Sequence, residues 1–222
     1  MSKKYCPICG NTGVKLDGTP CSCRLSDDEF YEGAECLDIP ETYRGVSFNS
    51  TSLPMSMGKH YERFMQDMYD QLVTMRWKNR NIIICSPNQT GKSILAYSVI
   101  QQLFRNGVDV YPIMDVLELM RVMKDIEYNR QTSMGYGDPM MLYTVPYVFA
   151  WIPPMLNYDV FDSAAMLLAR RVRRGNSTIF LYEGSWAYLS AADTKGSLKN
   201  LEGNGSYTTL EVKSFSRDDK GV

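Results

Sequence analysis

The segment that most constrains the fold of this chain is an eight-residue loop between two apolar runs. Its residues are Ser86, Pro87, Asn88, Gln89, Thr90, Gly91, Lys92 and Ser93. The run before it, 82–85, is typical of a buried strand, and the run after it, 94–104, has helical spacing and ends before Gly107. A strand, a loop ending in Gly-Lys-Ser and a helix form the context of a phosphate-binding P-loop.

Each part of this loop has a predicted role in holding phosphate. Successive backbone N–H groups and the N-terminus of the following helix would surround the phosphate oxygens. Lys92 would reach the β- and γ-phosphates, and the hydroxyl of Ser93 would ligate Mg²⁺. Ser86 stands where the motif has its first glycine, and a serine fits there if its φ is negative. The alternative is a Gly-Lys-Ser at a helix start that binds nothing.

Further apolar runs continue the alternation of strands and helices. The predicted strands are 108–113, 145–152, 177–182 and 207–212, and the predicted helices are 61–75, 115–124 and 161–174. Asp115 is predicted to cap the second of these helices. Together with the strand before the P-loop, this alternation favours an α/β fold with a doubly wound, parallel, five-stranded sheet.

Charge and hydropathy exclude several classes of protein. The net charge of −1 leaves no global attraction to nucleic acid, so any nucleic-acid site must be a local patch. No stretch reaches the roughly 18 consecutive apolar residues of a membrane span, and the N-terminus has no apolar signal segment. We therefore expect a soluble, cytoplasmic protein without membrane contact.

Four of the six cysteines lie close together near the N-terminus: Cys6, Cys9, Cys21 and Cys23. In a chain without a secretion signal, clustered cysteines favour a metal over disulfides. Four thiolates satisfy tetrahedral Zn²⁺ in a closed structural site. The sequence therefore predicts a zinc-binding module over 1–35, followed by a connector over 36–58. The alternative is four reduced cysteines that hold no metal.

One dense positive cluster closes the predicted helix 161–174. It consists of Arg170, Arg171, Arg173 and Arg174. Helical spacing places Arg170 beside Arg173 and Arg174, whereas Arg171 points elsewhere. The functional interpretation is contact with DNA phosphates or with the nucleotide of a neighbouring subunit. The alternative is favourable charge at a helix C-terminus.

Three features in this order resemble the DnaC/DnaI family of replicative-helicase loaders. They are the cysteine run 6–24, the segment 39–48 (Ile-Pro-Glu-Thr-Tyr-Arg-Gly-Val-Ser-Phe) and the P-loop. The resemblance implies an AAA+ domain, here 59–222 without a sizeable lid, that binds ATP and Mg²⁺. It also implies contact with a replicative helicase and with single-stranded DNA. We expect a loader that serves DNA replication, encoded by a phage, with self-association through the AAA+ core.

The chain departs from this family at the residues of hydrolysis. The family's Walker B strand ends in an Asp and a second carboxylate, but this chain has Ala150 and Trp151 there. The nearest match to the family's arginine finger is Lys199, and lysine is not equivalent to arginine at a phosphate. Glu183 and Asp159 are candidates for a replacement carboxylate. We therefore expect ATP binding with little or no hydrolysis.

Two other functions are compatible with the same residues. One is a non-enzymatic adaptor or inhibitor that grips the helicase and never opens it. The other is an active ATPase of the transposition-helper type, because those proteins share the AAA+ core. ATP turnover together with binding to a transposase would favour the second, and a helicase-loading assay separates a loader from an inhibitor.

Overall fold

The computed structural model describes residues 8–9, 15–17, 19, 21–22, 27–46, 48, 58–74, 76, 81–87, 90–128, 140–154, 158–198 and 208–211. Several predicted site residues lie outside these ranges, namely Cys6, Cys23, Asn88, Gln89 and Lys199. The chain after residue 211, on which the predicted absence of a lid depends, lies outside them as well.

Within the described ranges the chain forms seven α-helices, five strands and one 3-10 turn. In chain order they are α1 (Asp27–Cys36), the 3-10 turn (Glu41–Tyr43), α2 (Gly58–Val73), β1 (Ile82–Ser86), α3 (Lys92–Arg105), β2 (Met114–Asp115), α4 (Val116–Glu127), α5 (Met141–Thr144), β3 (Tyr147–Ile152), α6 (Tyr158–Val172), β4 (Ser177–Glu183), α7 (Trp186–Ala192) and β5 (Thr208–Glu211). None of the described helices is long and apolar enough to cross a membrane.

The strands form one parallel sheet in the order β2-β3-β4-β1-β5. Their carboxyl ends therefore lie at one edge, which we call the carboxyl edge, and their first residues lie at the opposite amino edge. The loop after β1 emerges at the carboxyl edge. There Ser86, the last residue of β1, is in register with Glu183, the last residue of β4. The predicted α/β class with a parallel sheet is confirmed.

Helices cover both faces of this sheet. Alternate residues of β1 belong to two clusters: Ile82 and Ile84 to the first, Ile83 and Cys85 to the second. The first cluster packs the sheet against α1, α2 and α3, and the second packs it against α4 to α7. Burial on both faces explains why the strands read as almost continuous apolar runs.

The second strand differs from its prediction. The run 108–113 does not pair in the sheet, and β2 consists of Met114–Asp115 alone. Pro112 lies within the run and has no N–H to donate to a ladder. Most of the run is nevertheless buried, so its apolar character comes from packing. Asp115 caps α4 as predicted, because its carboxylate accepts two backbone N–H groups of the first turn.

The segment that joins α1 to α2 is docked on α3 by hydrogen bonds. Gln101 is only 3% exposed, and its Nε2 donates to the carbonyl of Tyr43 at 2.8 Å. Its Oε1 accepts the N–H of Gly45 at 2.7 Å. The hydroxyl of Ser98 donates to the carbonyl of Val46 at 3.2 Å. Part of the predicted connector is therefore held firmly against the core.

Helix α1 also packs on α3. The buried ring of Phe30 lies 6.3 Å from the ring of Phe104, and the guanidinium of Arg105 lies 3.9 Å above the Phe30 ring. Gly33 lies against Phe104 so closely that a Cβ would come within 2.0 Å of that ring. The predicted module 1–35 thus includes a helix that belongs to the packing of the core.

Candidate nucleotide-binding site

A cavity of about 210 Å³ lies at the carboxyl edge of the sheet, over the start of α3. Its lining comes from four separate parts of the chain: Tyr43, Thr90, Gly91, Lys92, Ser93, Trp151 and Glu183. The described part of the predicted P-loop therefore opens onto a space. The structure brings this loop together with Glu183, one of the two replacement carboxylates within the described ranges.

The backbone of the loop has the conformation that its sequence requires. Gly91 has φ +85°, a left-handed value that favours glycine, and it forms the N-cap of α3. Ser86 is a strand residue without a positive φ, so it meets the condition for replacing the first glycine of the motif. Its Oγ lies 2.7 Å from Oγ1 of Thr90, within hydrogen-bond distance. A glycine at position 86 could not form this side-chain hydrogen bond across the base of the loop.

Lys92 is a buried cation whose partners are oxygens of its own loop. The residue is 5% exposed, and Nζ donates to the carbonyls of Pro87 at 2.7 Å and Ser86 at 3.1 Å, and to Oγ1 of Thr90 at 3.3 Å. Burial lowers the pKa of Lys92 to about 8, and the nearby Glu183 carboxylate opposes that shift. Phosphate oxygens would be stronger acceptors than these neutral oxygens.

Strand β3 contributes an aromatic residue and no carboxylate to the cavity. Its sequence, Tyr-Val-Phe-Ala-Trp-Ile, contains neither Asp nor Glu. Trp151 lines the cavity, whereas Ala150 is buried in the cluster on the opposite face of the sheet. The indole therefore shares the cavity with the predicted P-loop, and it comes from the strand that the sequence analysis assigns to Walker B.

The carboxylate of the cavity comes instead from β4. Glu183 ends this strand, and Gly184 follows it with φ +152°. The N–H of Gly184 donates to the carbonyl of Ser86 at 3.1 Å, and a Cβ at Gly184 would lie 2.7 Å from the ring of Tyr182. The turn after Glu183 thus requires glycine and is tied to the start of the P-loop. Among the described lining residues, Glu183 is the one acidic side chain.

The residues present fit a polyphosphate with a hard divalent cation. The helix N-terminus and Lys92 supply positive potential. The hydroxyl of Ser93 and the carboxylate of Glu183 line the same cavity, and oxygen donors of this kind suit Mg²⁺. Asp159 lies exposed in the first turn of α6 and is not part of the described lining.

Tyr43 is a lining residue that the sequence analysis does not identify. Its ring stacks on Tyr97 of α3, with centroids 4.7 Å apart and planes 18° from parallel. Hydrogen bonding of its carbonyl to Gln101 holds the 3-10 turn in place. The available signal was its position in 39–48, the segment that carries part of the family resemblance.

Arg171 does not serve the predicted contact with DNA. It is 0% exposed, and its guanidinium donates to the carbonyls of Leu142, Val145 at 2.9 Å and Ser177 at 2.8 Å, and to Oγ1 of Thr178 at 3.1 Å. Burial lowers the pKa of Arg171, and Arg174 lowers it further. For Arg171 the prediction is wrong, because the side chain has no exposed surface and its guanidinium is bonded to acceptors of its own chain.

The other arginines of the cluster remain nearer the surface at the same edge. Arg170 forms an ion pair with Glu127 and donates to the hydroxyl of Tyr143 at 3.0 Å. The guanidinium of Arg174 lies 4.7 Å from the centre of the Tyr143 ring. Arg173 and Arg174 are both exposed. Because α6 runs from the carboxyl edge to the amino edge, this cluster cannot complete the nucleotide cavity of its own chain.

The predicted zinc site is described only in part. Cys9 and Cys21 are both buried, and the N–H of Lys15 between them donates to the carbonyl of Thr19 at 2.8 Å. This bond closes a tight turn between the two cysteines. Among the described residues there is no group of three metal-binding side chains, and the other two predicted ligands lie outside them.

Three solved structures have a similar fold. DnaI has a TM-score of 0.56 at 16% identity, covering 79% of this chain and 95% of its own. The DnaC helicase loader has a TM-score of 0.54 at 10% identity, covering 78% and 100%. A candidate primosome component from Streptococcus pyogenes serotype M3 has 0.53 at 13% identity, covering 83% and 98%. The fold is shared. Neither the protein-family models nor the curated proteins give a match.

Proposed function

We propose that this protein binds ATP and loads a replicative helicase onto single-stranded DNA during replication. The observation that carries the proposal is the cavity formed by the P-loop and Lys92, at the edge of a sheet whose fold is similar to that of the DnaC helicase loader. The sequence resemblance in the cysteine run and in 39–48 points in the same direction.

The nucleotide would be held by the loop and by the start of α3. Lys92 exchanges its loop oxygens for the β- and γ-phosphates, and backbone N–H groups from Asn88 to Ser93 surround them. The Ser93 hydroxyl ligates the magnesium ion, which would neutralise part of the phosphate charge. Tyr43 and Trp151 border the cavity, and their rings would exclude water from the bound phosphates.

Hydrolysis is proposed to be slow. No residue of β3 can accept a proton from water through a carboxylate, and losing an arginine finger alone costs about 10³–10⁵ in rate. Lys199 is retained as a proposed substitute for that finger, whereas Asp159 is a weak candidate because it does not line the cavity. ATP would act as a ligand that sets the conformation of the loader rather than as a substrate that is rapidly hydrolysed.

The remaining parts of the proposal concern partners. The cysteine module would bind Zn²⁺ and dock on the helicase, and it presents Ile8 and Leu16 as exposed apolar side chains. Arg173 and Arg174 would contact DNA phosphates or a neighbouring copy in a self-assembled AAA+ core. A cytoplasmic location and a phage origin belong to the proposal and are supported by the family resemblance alone.

A loading assay tests this function. The helicase is offered to DNA coated with single-strand-binding protein, with the full chain or with a variant that lacks residues 1–25 and keeps α1. We expect loading and helicase co-purification with the full chain, about one zinc per chain, and loss of helicase binding but not of ATP binding in the truncated variant. Normal helicase binding without residues 1–25 would contradict the assigned docking module.

An adaptor that blocks the helicase is the second candidate. It is favoured by the absence of a carboxylate on β3, because an inhibitor needs no hydrolysis to stay bound. In the same assay it would bind the helicase and reduce loading below the level seen without it.

A further inference from the structure

The strand next to the P-loop strand ends in an acid at a place fixed by the backbone. Glu183 is paired in register with Ser86, the residue at which the phosphate loop begins. The N–H of Gly184 continues the hydrogen bonding to β1. Ser185 then caps α7, and its Oγ accepts the N–H of Tyr188 at 3.2 Å. Glu183 is therefore held between a paired strand and a capped helix.

Three other described acids near the carboxyl edge, Asp115, Asp159 and Asp162, do not line the cavity, and Asp115 caps α4. Asp159 is exposed in the first turn of α6, outside the described lining. Asp162 accepts a hydrogen bond from the hydroxyl of Ser197 at 2.6 Å. Glu183 shares the lining with Lys92 and Ser93, and its charge acts on the Lys92 ammonium.

We propose that Glu183 is the positioning carboxylate for the divalent cation of the bound nucleotide, supplied by β4 in place of the carboxylate that β3 lacks. This inference rests on the proposed nucleotide site and assigns one of its residues. Oxygen-rich sites suit Mg²⁺, and Ser93 with Glu183 provides a hydroxyl and a carboxylate in the cavity that the proposed phosphate loop borders.

A carboxylate that holds the cation has opposite effects on nucleotide affinity with and without Mg²⁺. A carboxylate beside a polyphosphate repels it when no cation is present and attracts the complex when a cation lies between them. Replacing Glu183 with a neutral isostere should therefore weaken nucleotide binding in Mg²⁺ and leave it equal or tighter in EDTA. A residue that only shaped the pocket would change both affinities in the same direction.

The experiment measures ATP and ADP affinity by calorimetry, in Mg²⁺ and in EDTA, for the full chain and for Glu183→Gln. We expect the gain in affinity from Mg²⁺ to fall by about 10-fold or more, since residues that orient a metal site affect metal affinity by about 10–100-fold. Mn²⁺ titration followed by electron paramagnetic resonance should show the same loss for the ADP complex. Glu183→Asp, which keeps the charge, should retain part of the Mn²⁺ affinity.

Asp159→Asn is the matched variant, because it removes an acid from the same edge of the sheet without touching the cavity. This variant should bind nucleotide and Mn²⁺ with the same affinity as the unsubstituted protein. An unchanged Mg²⁺ dependence in Glu183→Gln, or a loss in Asp159→Asn instead, would overturn the inference and leave the nucleotide site standing. If the unmodified chain binds neither ATP nor ADP, the proposed function and this inference both fail.

Discussion

The two edges of the sheet each contain a buried cationic side chain, and the two side chains differ in the kind of acceptor that holds them. At the carboxyl edge Lys92 borders a cavity and is held by three oxygens of a loop. At the amino edge Arg171 has no exposed surface and is held by carbonyls that flank β3 and β4, with one hydroxyl. Burial lowers the pKa of both side chains.

The difference teaches that burial and a lowered pKa do not by themselves mark a binding site. The acceptors of Arg171 are buried groups of β4 and of the α5 turn before β3, so no ligand can replace them without unfolding that edge. Two of the three acceptors of Lys92, the carbonyl of Pro87 and the hydroxyl of Thr90, belong to the loop after β1 and lie beside the cavity, so a phosphate can replace them. The distinguishing observation is whether the partners of a buried cation can be exchanged.

The variant with the largest expected effect is Arg171→Met, which tests the structural role of the amino edge. It leaves several buried carbonyls without their donor, at about 1–3 kcal/mol for each group left unpaired. We expect the free energy of unfolding to fall by at least about 3 kcal/mol, which corresponds to roughly 6–12 °C in Tm for a chain of this size. Thermal and urea denaturation measure it.

Two matched variants complete this test. Arg173→Met, an exposed position on the same stretch of chain, should change the Tm by little. Lys92→Ala should do the converse of Arg171→Met, with stability kept and ATP affinity reduced about 100-fold or more, because charge-assisted bonds to phosphate are worth about 1.5–3 kcal/mol each. Wild-type stability in Arg171→Met would remove the distinction between the two cations.

The exposed arginines of the amino edge give the next largest effect. If Arg173 and Arg174 contact DNA phosphates, the double alanine variant should flatten the slope of log K against log salt by up to about two units. Arg63→Ala, an exposed arginine on α2, serves as the control and should leave the slope unchanged. A slope that stays the same in the double variant would contradict a contact with DNA phosphates. The arginines would then serve only as favourable charge at the C-terminus of α6.

The smallest expected effect is proton uptake at the carboxyl edge. With a pKa of about 8, Lys92 is about half neutral at pH 8, and a phosphate bound beside it would restore its proton. Calorimetry of Mg-ATP binding in buffers of different ionisation enthalpy should show uptake of about half a proton at pH 8 and almost none at pH 6.5. Equal uptake at both pH values would show that the lysine is fully charged before binding.

The sign for stability follows from the same shift. The folded pKa of Lys92 lies below the unfolded value of 10.5, so between about pH 8 and 10.5 the unfolded chain binds more protons at this residue. The contribution of Lys92 to the stability of the empty protein therefore rises with pH over that window. Bound nucleotide removes this contribution by favouring the charged lysine.

The sequence predicted those parts of the molecule that local patterns determine. The apolar run before the P-loop and the helical spacing after it gave β1 and α3, and the carboxylate of Asp115 gave a cap that the structure confirms. These signals are local, because a strand period, a helix period and a capping side chain act within a few residues. The same alternation predicts parallel strands, but it does not give their order in the sheet, β2-β3-β4-β1-β5.

The sequence did not predict what depends on contacts between distant segments. The run 108–113 has a strand-like composition but no partner strand, and Tyr43 reaches the cavity through its docking on α3. The burial of Arg171, unlike the position of Tyr43, could in principle have been predicted from helical spacing. Arg171 follows Leu167 and Leu168 at helical spacing, which places it on the buried face of α6, but only the carbonyls around it explain how a charge is accommodated there.

The docking of 43–46 on Gln101 also has a mechanical consequence. Between the end of α1 at Cys36 and Tyr43 the chain is short. Tyr43 both lines the candidate nucleotide cavity and is hydrogen-bonded through its carbonyl to Gln101 of α3. We expect a displacement of α1 to be transmitted to Tyr43 through this short segment. It would strain the Gln101 bonds and shift the Tyr43 ring on Tyr97, so the cavity would change first on the side that faces the N-terminal segment.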